Sequence, residues 1–460
     1  MLLGALLAGS AGCGDAVAPP DAPTIEAVRI FAAADTMSPA ETTTFRALPS
    51  AKDGSRLGVA VSWTSTNPAV ATVDGAGAVN ALATGTATIT AAAGGKSDSR
   101  TVTVLRTWKA ISAGDDAICG ITLDDRAWCW GRNYAGQLGD GTTQDRATAA
   151  PVAGDHRWSR LSLNFHSACG VTLDPQVLCW GSYDKAYFSN IVTTPSPIPQ
   201  APALVTAEAG FWAGCGLTAA REAWCWGRDN LGGLGDGTQG SPDVRHYAVA
   251  VSTSLSWQVV DPSGEDFTCG LTTGGVPYCW GWEGYASPSL FISTVPVPVG
   301  GTHVFSSLVT SFAAACALDA TGQAWCWGAG ISGSLGFDTL PLTVFQPVPM
   351  KPALKFTQLS AGLNTICGLA AAGDAYCWGD NWYRSAAEPK DCYRSCPAPV
   401  LVSGGHHFVA ISSGGRITCG LTAGGAAWCW GTTTLGLDST VVSDRPFRVG
   451  HPAGAPVGPT

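Results

Sequence analysis

The sequence predicts an all-β protein: a seven-bladed β-propeller with an N-terminal β-sandwich. Three observations predict it. Cysteines recur in pairs ten positions apart, seven times over, at a period near fifty residues. The composition suits turns and packed strands, with 58 Gly, 18 Trp and 17 Cys among 460 residues, 46% hydrophobic and 13% charged, about half the usual charged content of a soluble domain. Residues 25 to 105 contain no cysteine and alternate in short runs such as Val59 to Trp63 and Thr86 to Thr90, the pattern of half-buried strands. The balance of 25 basic against 34 acidic residues, with no Lys/Arg cluster, gives a net charge of −9. It argues against nucleic acid as a partner, because that binding needs a basic patch.

At the N-terminus, Leu2, Leu3, Leu6 and Leu7 precede Cys13, and a Pro/Ala-rich run follows from Ala16 to Pro23. Residues 1–13 resemble the end of a bacterial lipoprotein signal, which implies a lipid on Cys13. Ser10 departs from that pattern, and no Lys or Arg precedes Arg29. The plain alternative is a short unstructured terminus with an incidental cysteine. Residues 14–24 read as a linker. No later stretch reaches the 18 apolar residues of a membrane span, so the expected membrane link is this anchor alone.

The repeat organises the rest. Its seven pairs are Cys119 with Cys129, Cys169 with Cys179, Cys215 with Cys225, Cys269 with Cys279, Cys316 with Cys326, Cys367 with Cys377 and Cys419 with Cys429. Cys392, Cys396 and Cys13 remain. The second cysteine always opens Cys-Trp-Gly. Eleven residues before the first stands Trp108, Trp158, Leu204, Phe305, Phe356 or Phe408, with Trp257 one residue further out. Each unit reads as four strands: one ending near Ile111 to Gly114, then Cys119 to Thr122, Ala127 to Gly131, and one near Pro151-Val152. The third is apolar on both faces, as a sheet covered by neighbours requires. Seven such sheets arranged radially make a propeller.

Cysteines equidistant from a tight turn, here Leu123 to Asp125, lie opposite each other on antiparallel strands at a separation that suits a disulfide. Thiolate zinc sites want C-x₂₋₄-C spacing and further ligands. We therefore expect seven disulfides within the blades and an oxidising compartment. Cys392 and Cys396 read as a small disulfide closing an insertion, in preference to a zinc site with His406 and His407.

The unit from Ile111 through Trp130-Gly-Arg-Asn-Tyr-Ala-Gly-Gln-Leu-Gly-Asp-Gly-Thr142 resembles the repeat of the regulator of chromosome condensation family. Its Gly-x-Leu-Gly-x-Gly element returns at Gly232 to Gly237 and decays at Leu335-Gly336 and Leu435-Gly436. The resemblance covers about residues 106–449 and implies a seven-bladed propeller, leaving 450–460 as a tail. Residues 25–105, with Trp63 to Asp74 and Ala83 to Ile89, resemble bacterial immunoglobulin-like group 2 domains, implying an Ig-like sandwich that serves as a stalk or adhesive module. Eukaryotic propellers of the family exchange guanine nucleotide on a GTPase and bind chromatin. The histidine those repeats carry is replaced here by Ala117, Ser167, Ala213, Phe267, Ala314, Thr365 and Ile417, so exchange is not carried over; fold alone does not transfer activity.

No HExxH, GxSxG or paired-carboxylate motif marks catalysis, and no enzyme, cofactor or metal is expected. Asp140 and Asp236 read as turn residues, with calcium as the alternative. Loops joining strands one to two and three to four emerge on one side of an up-and-down propeller. There they collect the candidate binding residues Tyr134, Phe165, His166, Tyr183, Tyr187, Phe211, Trp212, Trp282, Tyr285, Trp382, Tyr383, Arg132, Arg228 and Arg384, with Asp115, Asp116, Glu265 and Asp266. Tyr, Trp and Arg dominate interfaces, although aromatic residues also pack loops together. The opposite tips, such as Thr273-Gly-Gly275, are plain. The expected function is an exported, monomeric, cell-surface scaffold that binds an envelope protein or a glycan. A secreted enzyme inhibitor and a polysaccharide-active enzyme are the alternatives.

Overall fold

Seven times in the chain, cysteines ten apart face each other across a hairpin, their Cα atoms 4.0 to 4.2 Å apart and joined by disulfides. The expected partners are the observed ones: Cys119 is bonded to Cys129, Cys169 to Cys179, Cys215 to Cys225 and Cys269 to Cys279. Cys316 is bonded to Cys326, Cys367 to Cys377 and Cys419 to Cys429. The structure, a computed structural model, describes residues 24–32, 34–182, 191–229, 231–239, 244–262, 267–282, 292–337, 343–350, 354–386, 392, 394–433 and 441–449. Two units result, Met1–Thr103 and Val104–Thr460.

The first unit is a sandwich of two four-stranded sheets. One is ordered β1-β3-β6-β5 and the other β2-β8-β7-β4. The strands are β1 Ala27–Ala32, β2 Thr36–Met37, β3 Thr42–Ser50, β4 Ser62–Ser65, β5 Ala71–Val73, β6 Ala78–Ala81, β7 Gly85–Ala93 and β8 Lys96–Val104. The alternation in β7 buries Ala87, Ile89 and Ala91, and Ile30, Phe45, Val79 and Val102 of other strands are buried as well. The strand expected over Val59 to Trp63 is displaced: it begins at Ser62, Val59 is exposed, and the alternation is kept by Val61 and Trp63, which are half-buried.

The second unit holds seven four-stranded sheets among the described residues, each built from consecutive antiparallel strands. The first comprises β9 Trp108–Ala113, β10 Ala117–Thr122, β11 Ala127–Gly131 and β12 Arg146–Pro151; the others lie within 158–196, 204–250, 257–298, 307–349, 356–401 and 408–449. The second strand starts two residues before the expected Cys119, and the fourth, expected near Pro151-Val152, runs up to Pro151. The second strand carries the heaviest burial, being buried along its whole length in the first five sheets.

Three repeated side chains explain this packing. The apolar residue at or just before the start of the first strand lies against the Trp of the Cys-Trp-Gly tripeptide, with ring centroids 5.4 Å apart for Trp108 and Trp130 and 5.8 Å for Phe408 and Trp430. The glycine after the first cysteine makes room for it: a Cβ on Gly120 would sit 2.3 Å from the Trp108 ring. The Gly-x-Leu-Gly element then ties one blade to the next. Leu138, Leu234 and Leu335 are buried, and the indole of the following blade donates to a carbonyl of that loop, as Trp180 Nε1 does to Gln137 at 2.9 Å and Trp280 Nε1 to Gly233 at 3.0 Å. Gly139 has φ +66°, and a Cβ there would meet Trp180 Nε1 at 2.7 Å, so both conformation and space require glycine.

The ring closes without exchanging a strand. Trp108 N donates to Gly425 O at 2.8 Å, just as Trp158 N donates to Asp125 O at 2.7 Å between the first two sheets.

Candidate functional site

The first strands of all seven sheets line a central channel of about 350 Å³. One position on each faces its own first cysteine in register: Ser112, Ser162, Glu208, Asp261, Val309, Ser360 and Ser412. Five of these side chains accept hydrogen bonds from the backbone of the next blade, while Val309 has no acceptor to offer. Leu163 N donates to Ser112 Oγ, Ala209 N to Ser162 Oγ, Thr310 N to Asp261 Oδ2, Ser413 N to Ser360 Oγ and Ala113 N to Ser412 Oγ, at 2.8 to 3.0 Å. The last of these closes the ring. Glu208 departs from the pattern because the next blade offers Pro262, which has no N–H; its carboxylate pairs with Arg160 instead. Burial pushes the Glu208 carboxyl up, with Arg160 opposing.

The one-to-two loops cap one end of this channel. Phe165 lies 4.8 Å from Phe211, and Phe211 lies 5.9 Å from Phe312. His166 and Trp212 join the cluster at 5.3 Å, and Tyr134 Oη meets His166 Nε2 at 2.5 Å. Burial lowers the His166 ring to about 3 and, with Asp115 and Asp116, raises the Tyr134 hydroxyl to about 12.

Asp115 occupies the position held by Phe165, Phe211, Phe312 and Leu363 in other repeats. Its carboxyl fills space that Gly415 leaves open, where a Cβ would come within 1.9 Å of Asp115 Oδ1. Desolvation, then the neighbouring Asp116, raises Asp115 to about 7 against the opposing charges of Arg416 and Arg132. Arg416 Nε stands 3.5 Å from Asp115 Oδ2, and its Nη1 stands 3.2 Å from Asp116 Oδ2. Arg132 Nε reaches Asp116 Oδ2 at 3.7 Å. These pairs tie the last blade to the first.

Three-to-four loops present the outer groups. In the first blade Asn133 is fully buried, with its side-chain oxygen accepting from Leu138 N at 2.9 Å. In the sixth, Asn381 does the same with Ala386 N at 3.1 Å. The residue after each asparagine is thereby turned outward: Tyr134 is 39% exposed and Trp382 is 59% exposed.

Of the candidate binding residues, Tyr134 and Trp382 are exposed, and Phe165, Trp282, Tyr383, Arg132, Arg228 and Arg384 are half-buried. His166, Phe211 and Trp212 are corrected: they are buried, because they point to the axis and pack on one another. Tyr183, Tyr187, Tyr285, Glu265, Asp266 and Cys13 lie outside the described residues. Sequence reasoning passed over Arg394, Arg416, Arg160 and Glu208. Arg416 was findable, since in the last repeat it aligns with Asp116 of the first, an opposite charge at one repeat position. The opposite face is less plain than expected, for Leu123 and Leu173 are exposed at its tips.

The turn aspartates are engaged by their own loops. Asp140 Oδ1 accepts from Thr142 N and Oγ1, and Oδ2 pairs with Arg146 at 2.7 Å. Desolvation opposes these bonds, yet together they hold Asp140 below its ordinary value. Asp229 and Asp236 share Arg245. Cys392 and Cys396 form a disulfide, while His406 lies on Trp428 at 3.9 Å and His407 pairs with Asp374 at 3.5 Å. Among the described residues no group of three or more His, Cys, Asp or Glu side chains is arranged to hold a metal ion.

Comparison with known proteins places these features. Residues 25–104 match the bacterial Ig-like domain (group 2), and residues 108–137 and 356–383 match the regulator of chromosome condensation (RCC1) repeat. The chain is 25% identical over 222 residues to the ultraviolet-B receptor UVR8 of Arabidopsis thaliana, covering 46% of this chain and 49% of that protein. It is 27% identical over 227 residues to the mitochondrial RCC1 domain-containing protein RUG3 of the same plant, covering 47% and 51%. The chain thus spans about half the length of the curated relatives it matches. Among solved structures it resembles yeast RCC1 (Prp20) bound to Kap60, with a TM-score of 0.62, 17% identity and coverage of 75% of this chain and 86% of that one. It also resembles human WBSCR16, with a TM-score of 0.60, 19% identity and coverage of 71% and 94%. These structures speak to fold alone. The chain therefore joins a bacterial Ig-like (group 2) domain to a β-propeller of the regulator of chromosome condensation type.

Proposed function

We propose that the protein is an extracytoplasmic binding scaffold that engages a protein partner through the face formed by its one-to-two and three-to-four loops. The observation that carries this reading is the contrast within that face. Its axis is sealed by a packed aromatic cluster, while Tyr134 and Trp382 are held outward from buried asparagines on rigid loops. Rigid exposed aromatics beside arginines are what binding hot spots are made of. Eight disulfides and a bacterial Ig-like domain suit an oxidising compartment outside the cytoplasm. A lipid on Cys13, with the Ig-like domain as stalk, would hold the propeller at an envelope surface.

The test uses the full oxidised chain, immobilised and exposed in parallel to an envelope extract and to a panel of wall glycans. The reading expects a discrete protein retained by the wild type and lost from Trp382→Ala with thermal stability unchanged. Glycan retention without any protein would replace it with carbohydrate adhesion.

A further inference from the structure

The sixth blade breaks the repeat in three ways that converge on one spot. First, its three-to-four loop reads Asp380-Asn-Trp-Tyr-Arg-Ser385. Arg384 stands where the equivalent loops carry Gly136, Gly232 and Gly333, and keeps their left-handed conformation, with φ 62° against 75°, 75° and 80°. Any residue with a Cβ held there costs backbone energy that glycine does not. Second, this blade alone carries an eighth disulfide, Cys392–Cys396, with Cα atoms 5.1 Å apart. It brackets Arg394, whose carbonyl accepts from Asn381 N at 3.0 Å. Third, two neighbouring aromatics are each capped by a guanidinium: Arg394 lies 4.7 Å over the Trp382 ring and Arg416 lies 4.8 Å over Tyr383.

The two capped pairs differ in what their guanidinium edges do. Arg416 is spent on Asp115 and Asp116 beneath it. Arg394 is exposed and makes no ion pair among the described residues. A guanidinium held over an indole by cation–π attraction keeps its N–H donors as a planar fork that matches a carboxylate. We infer that Arg394 and Trp382 form the anchor of the binding face and take a carboxylate side chain from an acidic segment of a polypeptide partner. This rests on the scaffold reading above and names the chemistry of its partner. Charge complementarity supports an acidic occupant: Arg394 stands exposed on this face although the chain as a whole carries −9. A peptide fits better than a sugar, because Arg394 already covers one face of the indole on which a sugar ring would stack.

The experiment measures fluorescence anisotropy of the full oxidised chain with a labelled peptide of alternating glutamate and serine around one tyrosine. Alginate oligosaccharide serves as a second source of carboxylates. Arg394→Gln and Trp382→Ala should each weaken peptide binding about tenfold or more, a loss of about 1.4 kcal/mol. Arg394→Lys should fail to restore it, Arg100→Gln on the Ig-like domain should leave it unchanged, and added salt should weaken it. Peptide binding equal in Arg394→Gln and wild type, or absent from wild type, overturns the inference. Tighter binding of alginate than of peptide, with the same Arg394 dependence, also overturns it in favour of an acidic glycan. An envelope protein retained by Arg394→Gln but lost from Trp382→Ala would leave the scaffold reading standing and remove this one.

Discussion

Asp115→Asn should stabilise the protein at alkaline pH while changing little at acid pH. The Asp115 carboxyl is 3% exposed and sits where other repeats place Phe or Leu, and its folded value is about 7 against 3.8 in the absence of structure. The folded state therefore keeps a proton that the unfolded chain releases. This contribution to stability is complete below about 3.8 and is lost as pH rises through about 7. Three units of displacement at about 1.4 kcal/mol each set a ceiling of about 4 kcal/mol. Asparagine keeps the shape and cannot ionise, so the variant's advantage over wild type should grow by about 2 to 4 kcal/mol between pH 4 and pH 8.5. His166 works in the opposite direction: burial holds it to about 3, so its contribution is lost as pH falls below 6.5. Comparing variant with wild type cancels that term. Urea unfolding followed by tryptophan fluorescence, disulfides intact and ionic strength fixed, measures the difference. A gap that stays flat, or closes as pH rises, refutes the account of Asp115 as a carboxyl whose burial beside Asp116 outweighs the charges of Arg416 and Arg132.

Other consequences follow from the packing. Most blade cysteines have no exposed surface, so thiol reductants should open those disulfides at the rate of global unfolding, read by thiol labelling in increasing urea. Replacing Cys119 and Cys129 together by serine should cost about 2 to 3 kcal/mol. Ser412→Ala leaves Ala113 N–H without its partner across the closure; about 1 to 3 kcal/mol should be lost, and Ser162→Ala should cost about the same if the closing seam is equivalent to the others. Gly139→Ala should destabilise through both its φ of +66° and the Trp180 indole, seen as a fall in melting temperature. Trp212→Ala should cost about 3 to 5 kcal/mol, whereas Trp382→Ala should stay within about 0.5 kcal/mol.

Much of this architecture is legible in the sequence because it is repeated. Ten-residue cysteine spacing forces a two-strand register, and Cys-Gly paired with an upstream Trp or Phe already encodes the contact of Gly120 with Trp108. The candidate site is legible as a face but not residue by residue. Phe211-Trp212 and Trp382-Tyr383 look alike as loop aromatics, and what separates them is direction: one pair points to the axis, while Trp382 is turned out by the bonds Asn381 makes. Composition holds no record of direction. The role of Glu208 was hidden for a similar reason, since it depends on Pro262 lying across a blade boundary 54 positions away. Ring closure was not read from the sequence either, although the opposite charges of Asp116 and Arg416 at one repeat position carried a signal of the seam.

The most direct test of the binding face compares one partner on two surfaces. The envelope protein retained by the oxidised chain is titrated against two double variants. One combines Tyr134→Ala with Trp382→Ala on the loop face; the other combines Leu123→Ala with Leu173→Ala on the hairpin face, where both leucines are exposed. Our account predicts that the first weakens binding by about a hundredfold or more, about 2.7 kcal/mol, and that the second leaves it within about twofold. Loss of binding through the leucines, with the aromatic pair neutral, would place the function on the other face and contradict the account.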